Sequence, residues 1–195
     1  MLKSTVFVLC VITASSISAQ MKLLDEPKSQ TGVDVLKDAK DFFDKAETFI
    51  GFDELEMKAR VNDEYKKLGV SFTSSNDDDS VVVVPYRFPG GKSGKFCIAS
   101  AKPQFQGKVT IAFEDVDVTS VGFHLSHVNP KGTLVDAFDE DGERLGRLEI
   151  SESKNGLTFC GLESKTPIAK LVVIPVKEVD ADFAIDDFAF NKRGK

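Results

Sequence analysis

Residues 182–190 read Asp-Phe-Ala-Ile-Asp-Asp-Phe-Ala-Phe, and this stretch indicates what kind of domain the chain forms. Its aromatic and β-branched side chains, with no Gly and no Pro among them, predict a strand. Asp186 and Asp187 lie in the middle of that strand. Burying an unpaired carboxylate costs several kcal/mol. The pair therefore needs a neutralising partner, and a bound cation is one common solution.

The sequence before this strand has the spacing of strand-like segments and turns that is typical of an all-β domain. Short apolar or alternating segments read as strands at 52–55, 69–73, 80–84, 96–99, 109–113, 120–125, 134–138, 145–150, 158–162, 168–174 and 182–190. Asp141-Gly142 and Asn155-Gly156 are typical of tight hairpin turns. Short strands at this spacing, without helices between them, predict an antiparallel β-sandwich over residues 51–191, followed by a tail at 192–195.

The first residues read as a secretion signal. Residues 1–19 combine Lys3, an apolar run too short to span a bilayer, and a small-residue cleavage site at Ser18-Ala19. An uncleaved anchor or a core helix is the alternative. No second apolar run in the sequence has spanning length, so we expect a secreted protein without membrane insertion. Residues 20–32 are polar and predict a flexible leader.

Residues 33–50 change period and predict one amphipathic helix. Its apolar stripe, spaced by three and four residues, is Leu36, Ala39, Phe43, Ala46 and Ile50. Packing against the sandwich is the first interpretation of this helix. A coiled-coil contact and a cleaved pro-segment are the alternatives.

Charge and cysteine content limit the possible binding partners and crosslinks of the chain. The formal net charge of −6 argues against nucleic acid and against an anionic membrane surface. Of three cysteines, Cys10 lies in the signal segment, which leaves Cys97 and Cys160. In an oxidising route these two predict a disulfide, with a pair of buried free thiols as the alternative.

Carboxylates at the two ends of the domain are candidate metal ligands. Because the first and last strands of a sandwich are commonly neighbours, Asp53 and Glu54 are expected near Asp186 and Asp187, with Glu64 as a further candidate. Calcium prefers six to eight oxygen ligands, so this set predicts a structural calcium site. Solvent-facing charges, or partners of Lys and Arg, are the alternative.

Signatures of catalysis are weak. His124 and His127 are the only histidines, and their spacing points them to opposite faces of a strand. No third His, and no Cys outside the predicted disulfide, can complete a zinc site with them, so surface or loop roles are expected rather than metal binding. No G-x-S-x-G elbow exists. A carboxylate pair could hydrolyse a glycoside, but nothing in the sequence places two acids in one cleft.

An ordered set of motifs carries a resemblance to a known family. It comprises Phe52-Asp53-Glu54, Glu64-Tyr65, Ser120-Val121-Gly122-Phe123, Ala137-Phe138-Asp139, Pro167-Ile168-Ala169 and Phe183-Ala184-Ile185-Asp186-Asp187-Phe188. Over roughly residues 48–191 the chain resembles galactose-binding-like jelly-roll domains, a group that includes carbohydrate-binding modules and MAM-type adhesion domains. The resemblance implies a structural calcium between a carboxylate near the first strand and an Asp of the last. Ile185, Phe188 and Phe190 are expected to point inward, and their uneven spacing predicts a bulge at Asp186-Asp187 that would aim one carboxylate at the ion.

Three functions follow as hypotheses. The first is a secreted, non-catalytic module that binds a glycan or another extracellular ligand, such as a protein. The second is a structural or adhesive protein of the cell surface or extracellular matrix that assembles through the N-terminal helix. The third is a glycoside hydrolase that uses two carboxylates.

Overall fold

A computed structural model describes residues 21–23, 32–75, 80–85, 94–101, 107–114, 117–126, 132–150, 157–176 and 183–193. Within them lie two antiparallel sheets and one α-helix, α1 (Ala39–Lys45). The strands are β1 Met21–Leu23, β2 Val33–Leu36, β3 Thr48–Ile50, β4 Val70–Ser74, β5 Val81–Pro85, β6 Phe96–Ser100, β7 Val109–Phe113, β8 Val118–Ser126, β9 Thr133–Phe138, β10 Arg144–Ile150, β11 Thr158–Ser164, β12 Lys170–Pro175 and β13 Ala184–Lys192. A short 3₁₀ helix spans Lys66–Leu68. The predicted β-sandwich with one N-terminal helix is confirmed.

The two sheets face each other across the core. One has six strands in the order β1-β10-β9-β12-β7-β4, and the other has seven, in the order β2-β11-β8-β13-β6-β5 with β3 beside β13. Alternation along β8 turns Val121, Phe123 and Leu125 inward. Phe188 and Phe190 of β13 are fully buried as well. Each such side chain contributes about 1.5–3 kcal/mol on burial, so the inward rows hold the sheets together.

The N-terminal segment departs from the predicted single helix over residues 33–50. Residues 33–36 form β2, the helix covers only Ala39–Lys45, and residues 48–50 form β3. The helix begins where the Asp38 side chain caps it by accepting a hydrogen bond from the Asp41 N–H, at 2.9 Å. It ends at Ala46, whose backbone is extended. Val33 instead joins the core of the sandwich, which a strand geometry allows.

The predictions for residues 52–55, for the leader and for the signal segment had different outcomes. Residues 52–55 form a turn rather than a strand, because Phe52 has φ = 61° and its carbonyl accepts from the Leu55 N–H. Met21–Leu23 of the predicted leader forms a strand that pairs with Ile150–Leu148. The signal segment at 1–19 and most of the leader lie outside the described residues. No helix in the described part of the chain is long and apolar enough to cross a membrane.

The predicted Cys97–Cys160 disulfide is wrong, and both thiols are free and buried. Cys97 lies on β6 and Cys160 on β11, and β13 and β8 separate these strands in the sheet. Three strand spacings amount to about 14 Å, whereas a disulfide needs Cα atoms within about 7 Å. Cys160 also points into the core, while Cys97 belongs to a separate cluster with Ala99 and Ala184.

Candidate functional site

The outer face of the seven-stranded sheet is crossed by a strap, which we define as residues 37–47. The strap leaves the edge strand β2, carries α1 over the sheet, and ends at β3 beside β13. Phe42 and Phe43 of the helix are buried against Ala189, with Leu36 and Phe159 packed around them. The apolar stripe of the helix therefore packs on the sandwich, as the first interpretation of its sequence expected.

Two glycines shape the floor under the strap. Gly122 of β8 pairs with Gly161 of β11, so the two lie side by side on this face. A Cβ atom on Gly122 would stand 2.5 Å from Phe42 Cε1. A Cβ atom on Gly161 would stand 2.6 Å from Leu36 Cβ. Both distances are too short for real contacts, so the absence of side chains here lets the strap lie close to the sheet.

A groove of about 480 Å³ runs beside the strap on the same face. Its lining combines apolar and polar side chains, among them Leu36, Lys37, Phe42, Ser120, Glu163 and Asn191. That volume lies within the range of small-molecule sites in proteins. The register pairs Glu163 with Ser120 and Ser120 with Asn191, so three adjacent strands supply the polar floor.

Hydrogen bonds hold the polar floor in place. Asn191 Nδ2 donates to Ser120 Oγ at 3.1 Å, and Asn191 Oδ1 accepts from the Glu47 N–H at 2.7 Å. The second bond ties the end of the strap to β13. The floor therefore presents a fixed hydroxyl and amide to whatever enters the groove, at little conformational cost.

On the other side of the strap, His124 and Asp187 form a buried pair. His124 Nδ1 lies 2.9 Å from Asp187 Oδ2, and their side chains are 12% and 0% exposed. The imidazole packs against Phe43 and Phe159, with ring centroids 5.1 and 5.9 Å away. Asp187 reaches the histidine because the strand bulges between Asp186 and Ala189, as the sequence predicted, and because its φ is 50°.

Cys97 lies next to this pair. The register that pairs Ile98 with Ile185 places Cys97 beside Asp186, which in turn pairs with His124. Burial raises the pKa of the Cys97 thiol to about 12, and the Asp186 carboxylate adds to the effect. The thiol is therefore protonated at neutral pH, and this row of side chains provides no thiolate nucleophile.

The predicted metal ligands have separate partners. Asp53 Oδ1 accepts from the Lys95 and Phe96 N–H groups, at 3.0 and 2.9 Å. Glu54 accepts from the Tyr65 hydroxyl at 2.6 Å, and Asp186 Oδ1 accepts from the Asp187 N–H at 2.8 Å.

Burial and the bond to Glu54 raise the pKa of Tyr65. Glu64 is exposed. Within the described residues, no three His, Cys, Asp or Glu side chains come together as a group that could hold a metal ion. The calcium site stays a prediction.

Several groove residues could not be recognised from the sequence. Lys37, Glu163 and Asn191 lie far apart in the chain, and only the strand order brings them to one groove. A signal did exist for the face itself. Alternation along β8 assigns Ser120, Gly122 and His124 to the outer face, opposite the apolar Val121 and Phe123. The expected surface role of His124 did not anticipate that the strap would cover this face.

No protein-family model and no curated protein matches this chain. Among solved structures, a glycoside hydrolase family 43 arabinoxylan arabinofuranohydrolase from Bacillus subtilis, in complex with cellotetraose, is similar at 14% identity with a TM-score of 0.41, over 59% of this chain and 25% of that one. The enzymatically active domain of tailspike protein 4 of bacteriophage CBA120 is similar at 12% identity and TM-score 0.41, over 68% and 21%.

A family 6 carbohydrate-binding module is similar at 16% identity and TM-score 0.39, over 76% of this chain and 95% of that one. This chain thus spans a quarter or less of the first two proteins. At these TM-scores the similarities identify no family. Membership of the galactose-binding-like jelly-roll family stays a prediction.

Proposed function

We propose that this chain is a secreted, non-catalytic binding module that holds a glycan in the groove beside the strap. The observation that carries the proposal is the lining of the groove. Donors and acceptors at Lys37, Ser120, Glu163 and Asn191 surround an apolar wall that includes Phe42. A sugar presents hydroxyl groups at its edges and C–H groups on its faces, so it needs both kinds of surface within a short distance.

The acids of the groove support binding rather than hydrolysis. A glycosidase needs a carboxyl group kept protonated by burial beside a second carboxylate. Here Asp38 is exposed and caps α1, while Asp41 is exposed and lies 2.6 Å from Lys45 Nζ. Glu163 is exposed as well. The partners of Asp38 and Asp41 and the exposure of all three acids support structural and binding roles for these groups.

Assembly through the N-terminal helix receives less support. Phe42 and Phe43, the large apolar side chains of α1, are buried against the chain's own sheet. A partner helix would have to displace them first. Secretion is part of the proposal because of the signal-like residues 1–19.

A panel of immobilised polysaccharides, namely cellulose, xylan, chitin, pectin and β-glucan, tests the proposal with the chain lacking residues 1–19. We expect at least one to retain the protein. Lys37→Ala should weaken that binding by about tenfold, because a charge-assisted hydrogen bond is lost. Lys67→Ala, at an exposed lysine of the 3₁₀ helix, is the matched control and should bind normally. A folded protein that none of the panel retains, or a Lys37→Ala variant that binds as well as the control, would overturn the proposal.

A further inference from the structure

We infer that the groove selects an N-acetylated amino sugar, whose acetamido group binds to Ser120, Asn191 and Glu163. The inference rests on the proposed glycan-binding function and names the ligand class. Its starting point is the set of hydrogen-bonding groups on the groove floor. The strands β13, β8 and β11 are adjacent, and their register places Asn191 beside Ser120 and Ser120 beside Glu163. All three side chains line the groove.

The end of the strap fixes the orientation of the Asn191 amide. The backbone N–H of Glu47 can only donate, so the Asn191 atom that faces it at 2.7 Å is the amide oxygen. The amide nitrogen therefore faces Ser120 and donates to its Oγ atom at 3.1 Å. Because Ser120 Oγ accepts in this bond, the hydrogen of its own hydroxyl group is left to donate elsewhere.

The floor consequently offers two donors and one acceptor to a ligand. In the part of the chain that the structure describes, neither the Ser120 O–H nor the second amide N–H of Asn191 has a protein acceptor, and we call these two groups the floor donors. Ser120 is only 7% exposed, and a donor so deeply buried costs free energy unless something accepts from it. One strand away, the exposed Glu163 carboxylate has no hydrogen bond or ion pair with a described residue, and it can only accept.

An acetamido group matches this floor in both directions. Its carbonyl oxygen has two lone pairs and can accept from both floor donors, while its N–H donates to the Glu163 carboxylate. Its methyl group needs an apolar surface, which Leu36 and Phe42 supply on the adjoining wall of the groove. One small group thus uses the donors, the acceptor and the apolar wall together.

The charges of the groove favour this neutral group over an ionised one. The lining holds two lysines and three acids, namely Lys37, Lys45, Asp38, Asp41 and Glu163. Lys45 lies 2.6 Å from Asp41, and Asp38 caps the helix, which leaves Lys37 and Glu163 with opposite charges. A uronate bound to the floor donors would be repelled by the neighbouring Glu163. An ammonium group has no lone pair with which to accept from the floor donors.

Isothermal titration of the chain lacking residues 1–19 tests the inference with three tetrasaccharides that share a β-1,4 backbone and differ at carbon 2. The tetramer of N-acetylglucosamine carries the acetamido group there, the tetramer of glucosamine an ammonium group, and cellotetraose a hydroxyl group. We expect the acetylated tetramer to bind about tenfold more tightly than either of the others, because it alone satisfies the floor donors and Glu163 together.

Two variants locate the preference on the floor. Ser120→Ala removes a donor and Glu163→Ala removes the acceptor, so each should abolish most of the preference. Ser71→Ala, at a half-buried serine on the outer face of the six-stranded sheet, and Glu114→Ala, at an exposed acid after β7, are the matched controls and should retain it. Because Glu163 is exposed, Glu163→Ala should melt at the temperature of the wild type. If Ser120→Ala does not fold, Glu163→Ala alone decides.

The ratio of the affinities separates recognition from support of the fold. A variant that only loosened the groove would weaken the binding of all three tetrasaccharides equally, whereas loss of an acetamido contact weakens the acetylated one most. Equal affinities of the wild type for all three, an unchanged preference in either folded variant, or an equal loss for all three would overturn the inference and leave the proposed function standing. Binding of none of the three would overturn the inference. If the polysaccharide panel also retained no protein, the proposed function would be overturned with it.

Discussion

The two outer faces of the sandwich carry comparable rows of side chains in opposite settings. On the six-stranded sheet, a row from β4 to β10 reads Thr73, Thr110, Val172, Asp136 and Arg147, and no described helix covers it. On the seven-stranded sheet, the row from β6 to β11 reads Cys97, Asp186, His124 and Phe159, and the strap packs beside it. Each face also holds a buried acid with a basic partner: Asp136 in the first row, and Asp187, the residue after Asp186, on the second face.

On the uncovered face, Asp136 binds a guanidinium. Arg147 donates to both of its carboxylate oxygens, at 2.6 and 2.8 Å, and Arg144 lies 3.9 Å away. On the covered face, Asp187 binds the imidazole of His124, which is enclosed by two phenylalanine rings. A long side chain that reaches water suffices where the surface is open. On the covered face, both members of the pair are buried beside the Phe43 and Phe159 rings, so that pair depends more on its surroundings.

Removing the basic side chain from each pair should give the sharpest contrast between the faces. His124→Leu leaves the fully buried Asp187 without its imidazole partner, and we expect a loss of about 3 kcal/mol in the free energy of unfolding. Arg147→Leu should cost only about 1 kcal/mol, because Arg144 remains and the site is partly exposed. Urea denaturation of both variants measures the difference. Equal losses would show that the covering strap does not decide how strongly the pair contributes.

A single methyl group on the covered face should disturb the strap. Gly122→Ala places a Cβ atom 2.5 Å from Phe42 Cε1, so the strap must shift, at a cost of about 2 kcal/mol. Gly32→Ala is the matched control, since its Cβ would have no neighbour closer than the Leu145 carbonyl oxygen at 4.0 Å. A double mutant that adds Phe42→Leu should recover part of the loss. Additive effects would contradict a direct contact between these residues.

Metal removal tests whether Asp186 and Asp187 on the covered face bind a calcium ion in addition to their contacts with protein groups. If calcium binds at Asp186 and Asp187, it stabilises the folded chain by mass action, so EDTA should lower the melting temperature by about 5 °C or more. Added calcium, but not magnesium, should restore it. The hydrogen bonds of Asp53, Glu54 and Asp187 to other groups would hold equally well without the ion. An unchanged melting temperature at low residual metal would refute the calcium prediction.

The smallest effect is expected from reductant. Because Cys97 and Cys160 lie on opposite sides of the seven-stranded sheet, dithiothreitol should leave the melting temperature unchanged. Both thiols should resist Ellman's reagent at pH 8, since burial raises both pKa values, that of Cys97 to about 12. Both should react in guanidinium chloride. A mass shift on reduction, or rapid reaction of the native protein, would contradict the structure.

The sequence revealed those parts of the fold that local patterns specify. The aromatic and β-branched residues of 182–190 predicted β13, and the short apolar segment 120–125 predicted β8. The bulge at Asp186-Asp187 followed from the uneven spacing of Ile185, Phe188 and Phe190. Residues 33–36 were misread because Val33 and Leu36 fit a helical stripe as well as a strand. In the structure, Val33 is buried in the core of the sandwich, which favours the strand over the helix. The spacing of apolar residues in the sequence does not show whether Val33 is buried there.

The candidate site was harder to predict because its parts are not local. The Cys97–Cys160 pairing failed because two cysteines in a sequence say nothing about which sheet face each occupies. The groove depends on the edge strand β2, whose partner β11 lies more than a hundred residues away in the sequence. The groove depends further on Gly122. Because this residue has no side chain, the Phe42 ring can occupy the space above it.

The position of the strap also determines when the chain can finish folding. Leu23 pairs with Leu148, Val33 with Ser164 and Phe49 with Ala189, so each N-terminal strand has its partner near the other end of the chain. During synthesis these first strands emerge long before anything exists for them to pair with. Contacts at such separations slow folding and leave unpaired edges exposed meanwhile. Residues 48–50 can therefore pair with β13 only after residues 188–190, near the other end of the sequence, have been synthesised.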